Sequence, residues 1–228
     1  ALNARRTPNR LAIIDDEGSI TYADLNDAVN AVANGLLATG VRGGDGVGIL
    51  ARNHRWFSIA NYACARVGAR TIMLNTEFSG PQIRDVAHRE GAKLIIYDDE
   101  YTEAVRLADT PLGKLRALGP DPAASTPSTS IDETLAELIS RSSIAPAPKA
   151  TKRSSMIILT SGTTGTPKGA NRHAPPTLAP IGGVLSRVPF KSGEVTALPS
   201  PMFHAIGYLH ATIAATLGST LVLHRRFN

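Results

Sequence analysis

The sequence has few of the residues that stabilise small secreted domains or hold soft metals. Its 228 residues include one cysteine, Cys64, and one tryptophan, and aromatic residues make up 5%. A single cysteine excludes an intramolecular disulfide and does not favour a cysteine-based metal site, so a reducing cytosol fits best. The first residues, ALNARRTPNR, lack an apolar signal segment and an initiating methionine. We therefore expect no signal peptide and a chain that starts inside a longer one.

The charge pattern does not favour nucleic-acid binding. The 24 basic and 19 acidic residues give a net charge of +5, but the basic residues are scattered and few aromatics accompany them. We interpret them as solvated surface and expect no nucleic-acid partner. The long uncharged stretch at 195–223 is divided by Gly218 and Ser219. It predicts a buried helix followed by a buried strand rather than a membrane span.

Hydrophobic periodicity predicts alternating strands and helices. An apolar stripe that runs from Leu25 to Leu37, after a capping Thr21 and before Gly40, predicts the strongest helix. We expect a hairpin over 11–20, further helices over 54–67 and after the capping Ser79, and strands over 47–50, 71–74, 93–98, 114–118, 156–159 and 195–198. This alternation predicts an α/β fold of parallel-rich, doubly wound sheets with helices on both faces.

Two stretches rich in Pro, Ser, Thr and Ala, at 119–130 and 145–150, predict a boundary between parts of the fold. Between them we expect a short helix over 131–140, capped by Ser130 with Glu133. The prediction is a first β/α subdomain over 1–118, a linker region with one short helix over 119–152, and part of a second β/α subdomain over 153–228. The last part contains a predicted helix over 177–186.

The segment 160–169, TSGTTGTPKG, follows the apolar strand 156–159 and has the composition of a phosphate cradle. Gly162, Gly165 and Gly169 permit backbone conformations that point N–H groups at an anion, and hydroxyl groups and Lys168 surround them. A polar surface loop is the alternative, but the segment holds no carboxylate. Its spacing is not that of the triphosphatase loop, and the dinucleotide fingerprint G-x-G-x-x-G is absent, so hydride chemistry gains no support.

This segment resembles, at every position, the signature of the adenylate-forming superfamily, which includes bacterial fatty-acyl-CoA synthetases. Residues 201–207, PMFHAIG, are similar to the family's acyl-pocket motif P-[LM]-[FY]-H-x-x-G. Segments 19–25 and 41–53 also resemble family patterns, so the likeness spans nearly the whole chain. Thr76 and Gln82 depart from the family's usual Pro and Glu.

The resemblance implies roles for individual residues. Lys168 and His204 would be catalytic, Thr163 would bind Mg²⁺, and the acyl substrate would contact Met202, Phe203, His204 and Gly207. The nucleotide-binding residues would be Thr160, Ser161, Gly162, Thr163, Thr164, Gly165, Thr166, Pro167, Lys168 and Gly169.

The resemblance also implies a reaction, in which ATP and a carboxylic acid give an acyl adenylate and CoA then gives a thioester. It implies an N-terminal portion of a cytoplasmic fatty-acid–CoA ligase whose C-terminal domain is absent, so we expect the portion alone to be inactive. An aryl-acid CoA ligase, an acyl-AMP ligase that loads a carrier protein, and a non-catalytic truncated interaction module are the alternatives. Peripheral membrane contact and a homodimer stay open.

Overall fold

The computed structural model describes residues 2–119, 129–160, 168–173 and 190–226, with only the backbone of residues 160 and 168–173. The predicted phosphate-loop residues 161–167 and the predicted helix over 177–186 lie outside the described residues. Among the helices that are described, none is long and apolar enough to cross a membrane.

The described elements alternate between helices and strands, as the periodicity predicts. The helices are α1 Leu2–Arg6, α2 Tyr22–Thr39, α3 Arg55–Val67, α4 Gly80–Arg89, α5 Thr102–Val105, α6 Leu135–Arg141 and α7 Ala205–Thr216, and a 3₁₀ turn, Asp99–Tyr101, precedes α5. The strands are β1 Leu11–Asp15, β2 Gly18–Thr21, β3 Gly46–Leu50, β4 Arg70–Met73, β5 Ala92–Tyr97, β6 Lys114–Arg116, β7 Ser155–Thr160, β8 Lys168–His173, β9 Val195–Ala197 and β10 Thr220–Val222.

These strands form two sheets, in the orders β2-β1-β10-β9 and β6-β5-β3-β4-β7-β8. All neighbours are parallel except the hairpins β1–β2 and β7–β8. Helix α3 contacts both β1 and β3, so it lies between the sheets. The predicted parallel-rich α/β architecture is confirmed, and β8 is an additional strand that periodicity did not predict. Each sheet combines strands from the proposed parts 1–118 and 153–228.

Local sequence signals account for the two best-defined helix starts. The Thr21 hydroxyl accepts a hydrogen bond from the Asp24 backbone N–H at 3.1 Å, and α2 ends at Gly40 with φ 108°. At α4, Ser79 and Gln82 form the expected capping box. The uncharged stretch 195–223 also forms, as predicted, a helix and then a strand, α7 and β10.

The helix predicted over 131–140 is wrong in its start. Helix α6 begins at Leu135, because Thr134 caps it and Glu137 completes the capping box. Ser130 instead lies 2.7 Å from the Tyr97 hydroxyl, and its own hydroxyl accepts from the Asp132 N–H. Both Ser130–Glu133 and Thr134–Glu137 fit the capping pattern, but the second places Leu135 and Leu138 in the core.

Gly68 allows the turn between α3 and β4 to approach the segment before β7. Its φ is 78°, and a Cβ there would overlap the carbonyl oxygen of Lys152. Gly113 has nearly the same backbone conformation, with φ 77°, but a Cβ there would meet nothing within 4 Å. An alanine at Gly113 would therefore cause backbone strain alone, whereas an alanine at Gly68 would cause the same strain and a steric overlap as well.

We predict that Gly113→Ala lowers the free energy of unfolding by about 1–2 kcal/mol, the cost of a left-handed backbone. Gly68→Ala should lower it by about 1–3 kcal/mol more, because the added methyl group displaces the Lys152 backbone. Urea denaturation of the two variants measures this difference. Equal losses would show that the contact with Lys152 does not constrain the fold.

Candidate functional site

The carboxyl ends of strands from both sheets meet at one edge of the molecule. Residues that follow β3, β4, β9 and β10 line a single cavity of about 400 Å³ there. Its lining includes Arg52, Asn53, Thr76, Pro199, Phe203 and Arg225. Open α/β sheets bind ligands at the carboxyl ends of their strands. The cavity is therefore the candidate functional site.

The turn from β9 into α7 carries the predicted acyl-site residues. Met202 and Phe203 are buried, and the Ser58 hydroxyl of α3 lies 3.8 Å from the Met202 sulfur. His204 is the N-cap residue of α7 and is exposed, with its ring centroid 4.4 Å from that of Phe203. Gly207 is buried, and a Cβ on it would overlap the Pro201 carbonyl oxygen. The structure thus places Met202, Phe203 and His204 in this turn and Gly207 in the first turn of α7.

The predicted phosphate loop starts at the same edge of the second sheet. Strand β7 runs parallel to β4, with Met73 opposite Ile158, so Thr160 lies at the carboxyl end of the sheet. Lys168 and Gly169 belong to β8, where they pair with Thr160 and Leu159. Sequence analysis treated 160–169 as one loop. The pairing shows instead that Thr160, Lys168 and Gly169 belong to two hairpin strands. Residues 161–167, Thr163 among them, are outside the described part of the chain.

A larger cavity, of about 560 Å³, lies elsewhere, between α2, α3, α7 and the first sheet. Its lining is mostly apolar and includes Tyr62, Arg66 and Leu221. None of the described candidate residues lines it. We favour the smaller cavity because it combines strand ends, charged side chains and the β9–α7 turn.

Glu100 connects three arginines at the rim of the smaller cavity. Arg52 donates two hydrogen bonds to its carboxylate, at 2.9 and 3.0 Å, while Arg225 and Arg226 donate at 3.2 and 3.1 Å. The Arg52 guanidinium also lies 5.8 Å from the centre of the Tyr101 ring. Arg52 follows β3 and the other two arginines follow β10, so Glu100 joins the two sheets.

The arginines determine the charge state of Glu100. Burial by itself raises the pKa of this carboxyl, but the hydrogen bond and charge of Arg52, with the charges of Arg226 and Arg225, outweigh it. The net effect is a pKa below the ordinary value of 4.5. The ionised carboxylate is therefore the stable form in the folded protein.

A buried histidine–carboxylate pair lies beneath these arginines. His54 Nε2 is 2.9 Å from Asp98 Oδ1, and the exposed fractions of the two side chains are 2% and 0%. The other Asp98 oxygen accepts the Arg52 backbone N–H at 2.8 Å. Within the described residues, His54 Nδ1 has no hydrogen-bond partner. Asp98 thus fixes the segment on either side of Asn53.

Sequence reasoning did not identify the residues that surround the predicted ones: Arg52, Asn53, His54, Asp98, Glu100, Arg225 and Arg226. The local signal for most of them was their position within a few residues of the end of a strand. Asn53 is also the last residue of the segment 41–53 that resembles a family pattern. In the described part of the chain, there is no group of three or more His, Cys, Asp or Glu residues that could hold a metal. The charged groups here pair with one another: Glu100 with three arginines, and Asp98 with His54.

Comparison with known proteins identifies the family. The model of the AMP-binding enzyme family matches residues 1–228. The chain belongs to this family. Membership in the AMP-binding enzymes confirms the resemblance to the adenylate-forming superfamily that the sequence motifs indicated.

Relatives of this chain include CoA ligases for different acids. It is 30% identical to a feruloyl-CoA synthase of Amycolatopsis, over 99% of the chain and 43% of that protein. It is 27% identical to a long-chain-fatty-acid–CoA ligase of Mycobacterium tuberculosis, over 92% of the chain and 40% of that protein. The chain thus spans less than half the length of these curated relatives.

Solved structures agree on the fold. An o-succinylbenzoate CoA synthetase from Bacillus subtilis, solved with an acyl-adenylate intermediate, matches with a TM-score of 0.77 and 24% identity, over 100% of this chain and 43% of its own. A fatty acyl-CoA synthetase of Mycobacterium tuberculosis matches with a TM-score of 0.79 and 22% identity, over 100% of this chain and 44% of its own. The architecture is that of the AMP-binding fold.

We predict that Glu100→Gln lowers the free energy of unfolding by about 1–2 kcal/mol at pH 7. Because the folded-state pKa of Glu100 is lowered, its contribution is present above pH 4.5 and is lost as the pH falls through the folded value. Urea denaturation of the wild type and of Glu100→Gln, measured between pH 7 and pH 3, should show that the difference in their free energies of unfolding shrinks as the pH falls.

Glu103→Gln is the matched control, because Glu103 pairs with Arg106 on the exposed surface. It should leave stability within about 0.5 kcal/mol at every pH. A constant difference between Glu100→Gln and the wild type across this pH range would contradict the role assigned to the Glu100 carboxylate.

Proposed function

We propose that the full-length protein carrying this chain is an AMP-forming, ATP-dependent carboxylate–CoA ligase. A carboxylate oxygen attacks the α-phosphorus of ATP, and pyrophosphate leaves with the electron pair of the broken P–O bond. The CoA thiolate then attacks the carbonyl carbon of the acyl adenylate, and AMP leaves. The first step is needed because a free carboxylate has no good leaving group for the thiolate to displace.

The proposal assigns the residues as follows. Residues 160–169 hold the β- and γ-phosphates of ATP, and Lys168 neutralises charge that develops on the leaving pyrophosphate. His204 borders the acyl site with Met202, Phe203 and Gly207, where its imidazole orients the substrate carboxylate. Mg²⁺, when bound, would be held by the Thr163 hydroxyl and ATP oxygens and would neutralise phosphate charge.

One observation carries the proposal. The end of β7, from which the Thr/Gly-rich segment departs, and the β9–α7 turn with His204 both lie at the carboxyl edge of their sheets. An adenylation reaction requires a triphosphate and a carboxylate side by side. The shared edge supports this arrangement, and the family match supports the chemistry.

Fatty acids are the proposed substrate class, and aryl acids are the second candidate. The apolar Met202 and Phe203 favour an apolar acid, whereas the similarity to a feruloyl-CoA synthase favours an aromatic one. Comparing kcat/KM for octanoate and palmitate with that for ferulate distinguishes them. We propose that the reaction occurs in the cytoplasm and that CoA, rather than a carrier protein, accepts the acyl group.

We predict that Lys168→Ala in the full-length protein lowers carboxylate-dependent ATP–pyrophosphate exchange by about 10²-fold or more, because it removes a positive charge beside the leaving group. Exchange of labelled pyrophosphate into ATP measures this step without CoA. The 228-residue chain by itself should show no exchange.

Lys191→Ala is the control, because Lys191 is an exposed lysine that pairs with Glu194 at 3.6 Å. It makes the same change in net charge and should leave exchange within about twofold of the wild type. If the wild type shows no carboxylate-dependent exchange with any of the three acids, or if both lysine variants lose activity equally, the proposed function is wrong.

A further inference from the structure

Asn53 makes two hydrogen bonds to the backbone of the β9–α7 turn. Its Nδ2 donates to the Ser200 carbonyl at 3.0 Å, and its Oδ1 accepts from the Met202 N–H at 2.8 Å. The two bonded residues flank Pro201. Asn53 follows β3 of the second sheet, whereas the turn follows β9 of the first. One buried side chain thus connects the two sheets directly before Phe203 and His204.

The carboxamide suits this position because it has a donor and an acceptor at its end. An aspartate would keep an acceptor for the Met202 N–H but would set a second oxygen against the Ser200 carbonyl. A leucine of similar size would leave both backbone groups without this partner. Because Asn53 is 6% exposed, bulk water does not easily replace either bond.

The β9–α7 turn has little conformational freedom of its own. The His204 N–H donates to the Pro201 carbonyl at 3.1 Å, and the Tyr208 N–H donates to the His204 carbonyl at 2.9 Å. Gly207 lets the first turn of α7 lie directly against Pro201. A displacement of residues 200–202 would therefore move Phe203 and His204 with them.

Asn53 is itself held from both sides by a buried carboxylate. Asp98 accepts hydrogen bonds from the Arg52 N–H at 2.8 Å and pairs with His54 Nε2 at 2.9 Å. Asp98 directly follows β5, which pairs with β3 in parallel. The position of the Asn53 carboxamide is therefore fixed by the second sheet and not by its own loop alone.

We propose that Asn53 is a positioning residue for the carboxylate substrate, which it serves by fixing the β9–α7 turn and hence the Phe203 and His204 rings. This inference rests on the proposed function, since it assigns the turn to the acid and not to ATP. Asn53 acts through the turn. Its loss affects recognition of the acid more than recognition of ATP.

The kinetic test compares Asn53→Leu and Asn53→Asp with the wild type in the full-length protein. In ATP–pyrophosphate exchange, Asn53→Leu raises KM for the acid about tenfold and leaves KM for ATP within about twofold, because a misplaced turn weakens only the acid site. Asn53→Asp, which keeps one of the two bonds, gives a smaller rise in KM for the acid.

Asn34→Leu is the matched control. Asn34 also connects distant backbone, since its Nδ2 donates to the Ser143 and Ala145 carbonyls at 2.7 and 2.9 Å. It contributes nothing to the lining of the smaller cavity. Its replacement also removes two side chain–backbone hydrogen bonds, at a more exposed site, and leaves both KM values unchanged. A general loss of stability would affect the two leucine variants alike.

Hydrogen exchange of the Met202 amide tests the contact directly. Met202 exchanges faster in Asn53→Leu, stays protected in Asn53→Asp, and is unaffected in Asn34→Leu, while amides of β3 keep their protection in all three. Unchanged Met202 exchange in Asn53→Leu overturns the proposal, as does an equal rise in both KM values or none. If the wild type shows no acid-dependent ATP–pyrophosphate exchange, the proposed function is wrong instead. Hydrogen exchange of the Met202 amide still tests the contact between Asn53 and the turn in that case.

Discussion

The candidate site depends on parallel pairing between strands that are far apart in the sequence. A parallel neighbour cannot be reached through a tight turn, so each pair requires a long connection. Strand β7 joins β4, and β10 joins β1, which brings the later part of the chain into both sheets. Parallel strands end at the same edge. The segments after β3, β4 and β5 therefore meet one another at the edge where β7 also ends, and those after β9 and β10 meet them across the gap between the sheets.

Contacts at these strand ends, both within the second sheet and between the sheets, are polar and involve buried carboxylates. A buried carboxylate is costly unless it is paired, so Asp98 requires both the Arg52 N–H and His54. Glu100 brings Arg52 together with the arginines that follow β10. At the end of β1, Asp15 accepts the Arg55 N–H at 2.8 Å. The orientation of one strand-end segment relative to another is therefore set by a few hydrogen-bonded side chains.

Local signals in the sequence predicted elements well where one signal dominated. Thr21, the apolar stripe and Gly40 defined α2, and Ser79 with Gln82 defined the start of α4. The prediction failed at α6 because two overlapping capping patterns competed there. Ser130 does not cap the helix because its hydroxyl is hydrogen-bonded to the Tyr97 hydroxyl. That contact depends on the position of β5, which carries Tyr97. Strand β8 was not predicted because its sequence is polar and has no alternating apolar pattern, although it pairs with β7.

The site shows the same division between local and distant information. The motifs at 160–169 and 201–207 are contiguous, so their composition could be interpreted directly. Asn53 contacts Ser200 across 147 positions, and no residue near Asn53 indicates which backbone segment it will meet. The motif at 160–169 begins in a strand of the second sheet, and the motif at 201–207 follows a strand of the first sheet. The distance between the two motifs therefore cannot be determined from either motif alone. In this fold, residues that join the sheets, such as Asn53 and Glu100, determine how the β9–α7 turn and the segment after β10 lie relative to the strand ends of the second sheet.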